Sequence, residues 1–135
     1  MQKRVRWIGV VATSVLILGT VAVGYADHHG ETQDRKAALV ISVEATDQAA
    51  YLKKVSEIRA ITEGLGVGAT MRVWQASIAG PATGRLVVVL EFESLLAYAQ
   101  GMTTMQADTG WRKVYEELSG LRMAVGTSLL EEVTP

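Results

Sequence analysis

Two stretches of the chain are copies of each other at a fixed offset, and that duplication restricts the fold more than any other feature. Gly84 to Tyr98 reads as a strand that turns into a helix, and a fainter version of the same run spans Leu39 to Tyr51. An offset of 86 − 39 = 47 positions superposes Leu39 on Leu86, Val40 on Val87, Glu44 on Glu91, Ala50 on Ala97 and Tyr51 on Tyr98. Two strand-then-helix units imply a duplicated architecture.

The first 26 residues have the layout of an export signal. Lys3, Arg4 and Arg6 form a basic start, Trp7 to Val23 is almost wholly apolar, and Gly24, Tyr25 and Ala26 end in the small residue that a signal peptidase requires. Cleavage is expected before Asp27, which delivers the rest of the chain to the periplasm or the extracellular space. The alternative is an uncleaved membrane anchor, because residues 7–26 provide 26 − 7 + 1 = 20 positions, enough at about 1.5 Å each to cross a hydrocarbon layer of roughly 30 Å.

Removal of the signal leaves 135 − 26 = 109 residues, the size of one domain. The chain has no cysteine, so thiol catalysis, thiolate metal sites and disulfide stapling are excluded, and its stability rests on packing. The net charge of −1 includes +3 from the signal, so the exported part carries −1 − 3 = −4. Nucleic acid is an unsuitable partner for that surface, since phosphate contacts need clustered Lys and Arg and the basic residues here are scattered.

Along the chain, residues 27–37 are polar, hold both histidines and lack periodicity, which suits a flexible leader. The domain proper is expected over residues 38–135. Ala38 to Ala45 alternates as a strand, and Thr46 or Asp47 caps a helix running to about Gly64, with Tyr51, Val55, Ile58, Thr62 and Leu65 on its apolar stripe and Lys53, Lys54 and Glu57 turned to water. Gly64, Gly66 and Gly68 stop that helix. Ala69 to Ile78 and Arg85 to Glu93 then form a hairpin closed by Gly80 to Gly84. Ser94 caps a second helix with Leu95, Tyr98, Met102 and Met105 buried, and Asp108 caps a shorter one carrying Trp111, Val114, Tyr115, Leu118 and Leu121 on one side. Met123 to Val133 supplies the last strand.

The order strand, helix, strand, strand, helix, strand, with right-handed crossovers, gives an α+β fold. It is a ferredoxin-like βαββαβ arrangement in which a four-stranded antiparallel sheet is covered by helices on one face. Strand alternation sends Ile41, Val43, Leu86, Val88, Leu90 and Phe92 towards the helices. It leaves Val40, Glu44, Val87, Val89, Glu91, Arg72 and Trp74 on the bare face. A turn centred on Pro81 and Ala82 pairs residue i with 163 − i, so that Arg72 is expected opposite Glu91 and Trp74 opposite Val89. An apolar face of this kind calls for a partner. Glu44 and Glu91 correspond in the repeat but point to opposite ends of neighbouring antiparallel strands, too far apart to work as a carboxylate dyad.

This pattern resembles the dimeric α+β barrel superfamily, which includes antibiotic-biosynthesis-monooxygenase-like, stress-responsive barrel and NIPSNAP-like domains. The resemblance covers Ala38 to Val133 and rests on the duplicated topology, on Glu91, Phe92, Glu93 and Ser94 with Tyr98 one turn later, and on Met105 to Asp108 followed by Trp111. It implies a homodimer whose two open sheet faces close a barrel, with ligands bound inside the barrel or between sheet and helices. It places Arg72, Trp74 and Glu91 inside the barrel, and Tyr98 and Trp111 nearer the helical side. Haem-binding and haem-degrading branches depend on histidine, and the latter also on asparagine. This chain has no Asn and no His beyond His29, so no prosthetic group is expected. Cofactor-independent monooxygenase branches use pocket aromatics, which Trp74, Trp111, Tyr51 and Tyr98 supply, but no catalytic motif matches.

The candidate ligand-binding set is therefore Arg72, Trp74, Glu91, Tyr98 and Trp111, each of which also has an ordinary structural use: interface core for Trp74, pairing with Glu91 for Arg72, helix packing for Tyr98. One separate site depends on processing. Cleavage before Asp27 would put His29 third behind a free amine, and Asp27, His28 and His29 would then offer the square-planar nitrogen set suited to copper(II) or nickel(II). Two readings of function remain: an exported barrel that binds or transforms a small apolar or aromatic molecule without a prosthetic group, and a non-catalytic dimerisation or interaction module of the cell envelope.

Overall fold

A computed structural model describes residues 35–133. The expected signal or anchor, most of the leader and the Asp27, His28 and His29 set lie outside the described residues.

The elements follow in the order β1 (Ala37–Ala45), α1 (Gln48–Gly64), β2 (Thr70–Gln75), a single 3-10 turn (Gly80–Ala82), β3 (Leu86–Phe92), α2 (Leu95–Ala107), α3 (Thr109–Gly120) and β4 (Arg122–Glu131). All strand pairings are antiparallel, and the sheet order is β2-β3-β1-β4. This is the α+β, ferredoxin-like βαββαβ topology with one added helix.

The duplication is visible in the atoms that start the helices. The Asp47 carboxylate accepts from the amide of Ala50, and 47 residues later the Ser94 hydroxyl accepts from the amide of Ala97, both at 3.0 Å. Each cap supplies an acceptor to an otherwise unpaired first-turn donor. Asp108 does the same for Trp111 at 2.7 Å and thereby ends α2 and begins α3 at one residue.

The core lies between the helices and one sheet face, and Ile41, Val43, Leu86, Val88, Leu90 and Phe92 all point into it. α2 departs from the expected stripe: Leu95 is exposed while Gly101 is buried with Met105. A Cβ on Gly101 would stand 2.9 Å from Cε1 of Phe92, so the helix rotates to lay its missing side chain against β3. Phe92 in turn meets Tyr98 edge to face, ring centres 5.4 Å apart. Lys54, on the water-facing side of α1, also ties α1 to α3 through Glu117 at 2.6 Å while holding Glu57 at 2.7 Å.

The hairpin register differs from the expected one by two residues. Thr70 lies opposite Glu91, Arg72 opposite Val89 and Trp74 opposite Val87, a sum of 161 and not 163. The cause is the loop. Gly80 and Gly84 take left-handed φ values of 54° and 89°, Pro81 sits in the 3-10 turn, and the Gly84 amide returns to the Ala76 carbonyl at 2.7 Å. The turn is thus centred one position earlier than Pro81 and Ala82. Because side chains alternate with period two, a two-residue slip keeps every one of them on its expected face.

Candidate functional site

The bare face and the helix-covered face present two different candidate sites. On the bare face, Arg72 reaches diagonally across the β2/β3 pair to Glu91, Nε to Oε2 at 3.2 Å. Both side chains are about half exposed, as is Trp74 at 59%. An ion pair this wet contributes little by itself, since water and salt screen it. Its counterpart in the repeat is Glu44, which accepts from Nε and Nη2 of Arg85, each at 2.7 Å. Glu44 and Glu91 therefore each have an arginine. β1 pairs Ala38 with Glu91, so the 44 − 38 = 6 steps from Ala38 to Glu44 separate the two carboxylates by about 20 Å along the sheet at roughly 3.3 Å per residue. A shallow polar hollow of about 270 Å³ lies beside the Glu44 and Arg85 pair, whose charges already satisfy each other.

The helix-covered side holds a cavity of about 70 Å³ with almost wholly apolar walls. Its sheet wall is Leu39, Ile41, Met71, Val88 and Leu90; α1 contributes Tyr51, Val55 and Ile58, α3 contributes Trp111, Tyr115 and Leu118, and Met102 completes it from α2. α3 packs along α1, and side chains of both helices meet those of β1 and β3 around the cavity. Trp111 is buried, and its indole N–H is spent on the Thr62 hydroxyl at 3.1 Å, which itself donates to the Ile58 carbonyl at 2.8 Å. What Trp111 offers the cavity is its ring. That ring stacks on Tyr115 with centres 5.0 Å apart and planes 11° from parallel.

Arg122 is the charged residue of the lining. Its guanidinium donates to the Tyr51 hydroxyl at 3.3 Å and lies 5.5 Å from the centre of the Tyr115 ring. The first residue of β4 points inward because of a bulge. Ser42 pairs with Gly126 but Val43 pairs with Ala124, so one extra residue on β4 reverses its alternation, and Arg122, opposite Ala45, turns towards the core side. Simple alternation back from Gly126 would have sent Arg122 to the bare face. With the last strand read as starting at Met123, nothing in the sequence marked Arg122; a strand begun one residue earlier would have raised the question but not the face.

The five sequence-selected residues thus divide between three places. Arg72, Trp74 and Glu91 share the bare face. Trp111 lines the cavity with Tyr51, and Tyr98 packs against Phe92 without lining it. Among the described residues no group of three or more His, Asp or Glu side chains is placed to hold a metal ion, and no helix is long and apolar enough to cross a membrane.

No protein-family model and no curated protein matches the sequence. Solved structures do match the fold. A NIPSNAP family protein from Agrobacterium tumefaciens superposes with a TM-score of 0.57 at 15% identity, over 74% of this chain and 93% of the other. A variant of SnoaB, a cofactor-independent oxygenase from Streptomyces nogalater, gives 0.57 at 11% identity, over 74% and 95%. A dimeric ferredoxin-like protein from an uncultured marine organism gives 0.55 at 11% identity, over 75% and 98%. The chain has the ferredoxin-like α+β fold of these proteins, the architecture that the repeat and its resemblance to dimeric α+β barrels led one to expect.

Proposed function

We propose that this is an exported, homodimeric α+β barrel protein that binds or transforms a small apolar or aromatic molecule without a prosthetic group. The observation that carries the reading is the apolar cavity between sheet and helices, walled by Trp111, Tyr115, Tyr51 and Met102. Sites for small molecules are concave and apolar with few polar groups, and this one has that character. A cavity of roughly 150 Å³ admits benzene, so at about 70 Å³ this one takes a short apolar group as it stands. It takes a ring only if the half-buried Met102, with its three rotatable bonds, swings aside.

Dimerisation is proposed through the bare face. Trp74 together with Val40, Val87 and Val89 makes an apolar surface that the described chain leaves without cover, and one of the proteins sharing the fold is described as a dimer. β4 adds to it: Leu130 on the bare face is 53% exposed, and Leu129 on the opposite face is 42% exposed. Such an unclad edge strand also suits the second reading, a non-catalytic interaction module. Native mass spectrometry of the exported protein separates the readings. A dimer that begins at Asp27 and retains a small organic molecule supports the first, and a ligand-free dimer that takes up no apolar compound supports the second. A monomer at micromolar concentration refutes the barrel.

A further inference from the structure

The cavity carries a charge that its apolar lining does not need. None of the ion pairs among the described residues includes Arg122, although Arg72, Arg85 and Lys54 each have a carboxylate. The partner of Arg122 is Tyr51, a fully buried side chain that serves as acceptor for the guanidinium. That contact uses one guanidinium nitrogen and leaves the other N–H groups of Arg122 as the charged donors of an otherwise apolar lining.

We infer that the cavity binds a short-chain monocarboxylate, its carboxylate held by Arg122, which Tyr51 positions, and its hydrocarbon tail lying against the apolar lining. The inference rests on the small-molecule reading above and narrows it to a ligand class. The guanidinium is a planar fork matched to two carboxylate oxygens. A single cation in the lining balances a monoanion; a phosphate monoester, close to two negative charges at neutral pH, would leave one of them uncompensated among apolar walls. The Tyr115 ring, itself stacked on Trp111, and the Tyr51 hydroxyl hold the guanidinium, so little rearrangement is needed on binding. The volume limits the tail to a few carbons.

The test is a titration of the exported protein, uniformly labelled with nitrogen-15, with butanoate and separately with butan-1-ol, following the indole N–H resonance of Trp111. The expected result is saturable movement of that resonance by butanoate with a Kd at least about tenfold below that of the alcohol, the scale of a charge-assisted hydrogen bond. In Arg122→Gln the preference should vanish while the affinity for the alcohol stays within about twofold. Tyr51→Phe, which keeps the ring and removes the acceptor that positions the guanidinium, should weaken butanoate alone. Equal binding of acid and alcohol, or a preference that survives Arg122→Gln, overturns the carboxylate assignment and leaves the apolar-ligand reading in place. If neither compound moves Trp111 at 10 mM or below, an order-of-magnitude ceiling of about −3 kcal/mol on binding, both fall.

Discussion

The dimer proposal stands or falls on Trp74, and its removal has an effect of calculable size. A tryptophan buries up to roughly 250 Å² when fully covered, and 59% of that is about 150 Å² still open to water in one protomer. At about 25 cal/mol per Å² complete covering would be worth near 4 kcal/mol, and a two-fold interface counts it twice. Area overstates affinity, because ordering and imperfect desolvation oppose it; one third of the sum leaves about 2.5 kcal/mol, roughly a 60-fold change in Kd. Trp74→Ala should therefore raise the dimer dissociation constant by at least an order of magnitude. The protomer itself should be left almost as stable as before, since a side chain this exposed supports little within its own chain. Sedimentation velocity over nanomolar to micromolar concentrations measures the first quantity, and urea denaturation below the wild-type Kd measures the second. The emission of Trp74 should shift to shorter wavelength as the wild type associates. A Trp74→Ala protein that associates like the wild type refutes the assignment of the bare face as the interface.

Three further outcomes follow from the packing. Gly101→Ala gains about 1 kcal/mol of helix propensity but forces a methyl to 2.9 Å from a buried Phe92 ring that Tyr98 also confines, which typically costs about 1–3 kcal/mol. A net fall in the urea midpoint is expected, reduced when Phe92→Leu is added; a rise would contradict the close approach. Thr62→Val removes the acceptor of the Trp111 indole at constant shape and should destabilise by about 1–3 kcal/mol in the same assay, the penalty of an unpaired buried donor. The Lys54 hydrogen bond holds the Glu117 carboxyl below its ordinary range, and the same contact raises the Lys54 amine. The Glu117 share of stability is present above the ordinary carboxylate value and is lost as pH falls through the depressed one. The Lys54 share is present below the ordinary amine value and is lost as pH rises through the raised one. Urea midpoints measured across pH should therefore fall more gently at the acid end in Glu117→Gln than in the wild type, by a small amount that salt reduces, because the pair is solvent-exposed.

What sequence alone made readable was whatever depends on period and on side-chain chemistry at a single position. Alternation placed Val88, Leu90 and Phe92 on one face and Val87, Val89 and Glu91 on the other, and that division survived a two-residue error in register because the error was even. Caps at Asp47, Ser94 and Asp108 were readable because each is a short polar side chain immediately before an apolar period. Features that depend on a missing or an extra residue were not. The rotation of α2 follows from the absent side chain of Gly101 meeting a ring nine positions earlier, and the inward turn of Arg122 follows from one surplus residue in β4. Neither changes the local pattern that periodicity reads.

The same division explains why the cavity lies where it does. The two halves of the repeat agree as far as Tyr51 and Tyr98, whose amides both bond back to the capping residues Asp47 and Ser94. They part company after α2, where Asp108 starts a helix with no counterpart in the first half. That added helix lies along α1, and the seam between them opens above the sheet on the Tyr51 side; Tyr98, its partner in the repeat, stays sealed against Phe92. The site is therefore a consequence of broken symmetry. Tyr51 acquires Arg122 because β4 must start at the foot of α3, with the bulge turning its first residue inward. Two equal halves would have neither the stacked Trp111 and Tyr115 nor the inward arginine, and so would lack the α3 and β4 walls of this cavity.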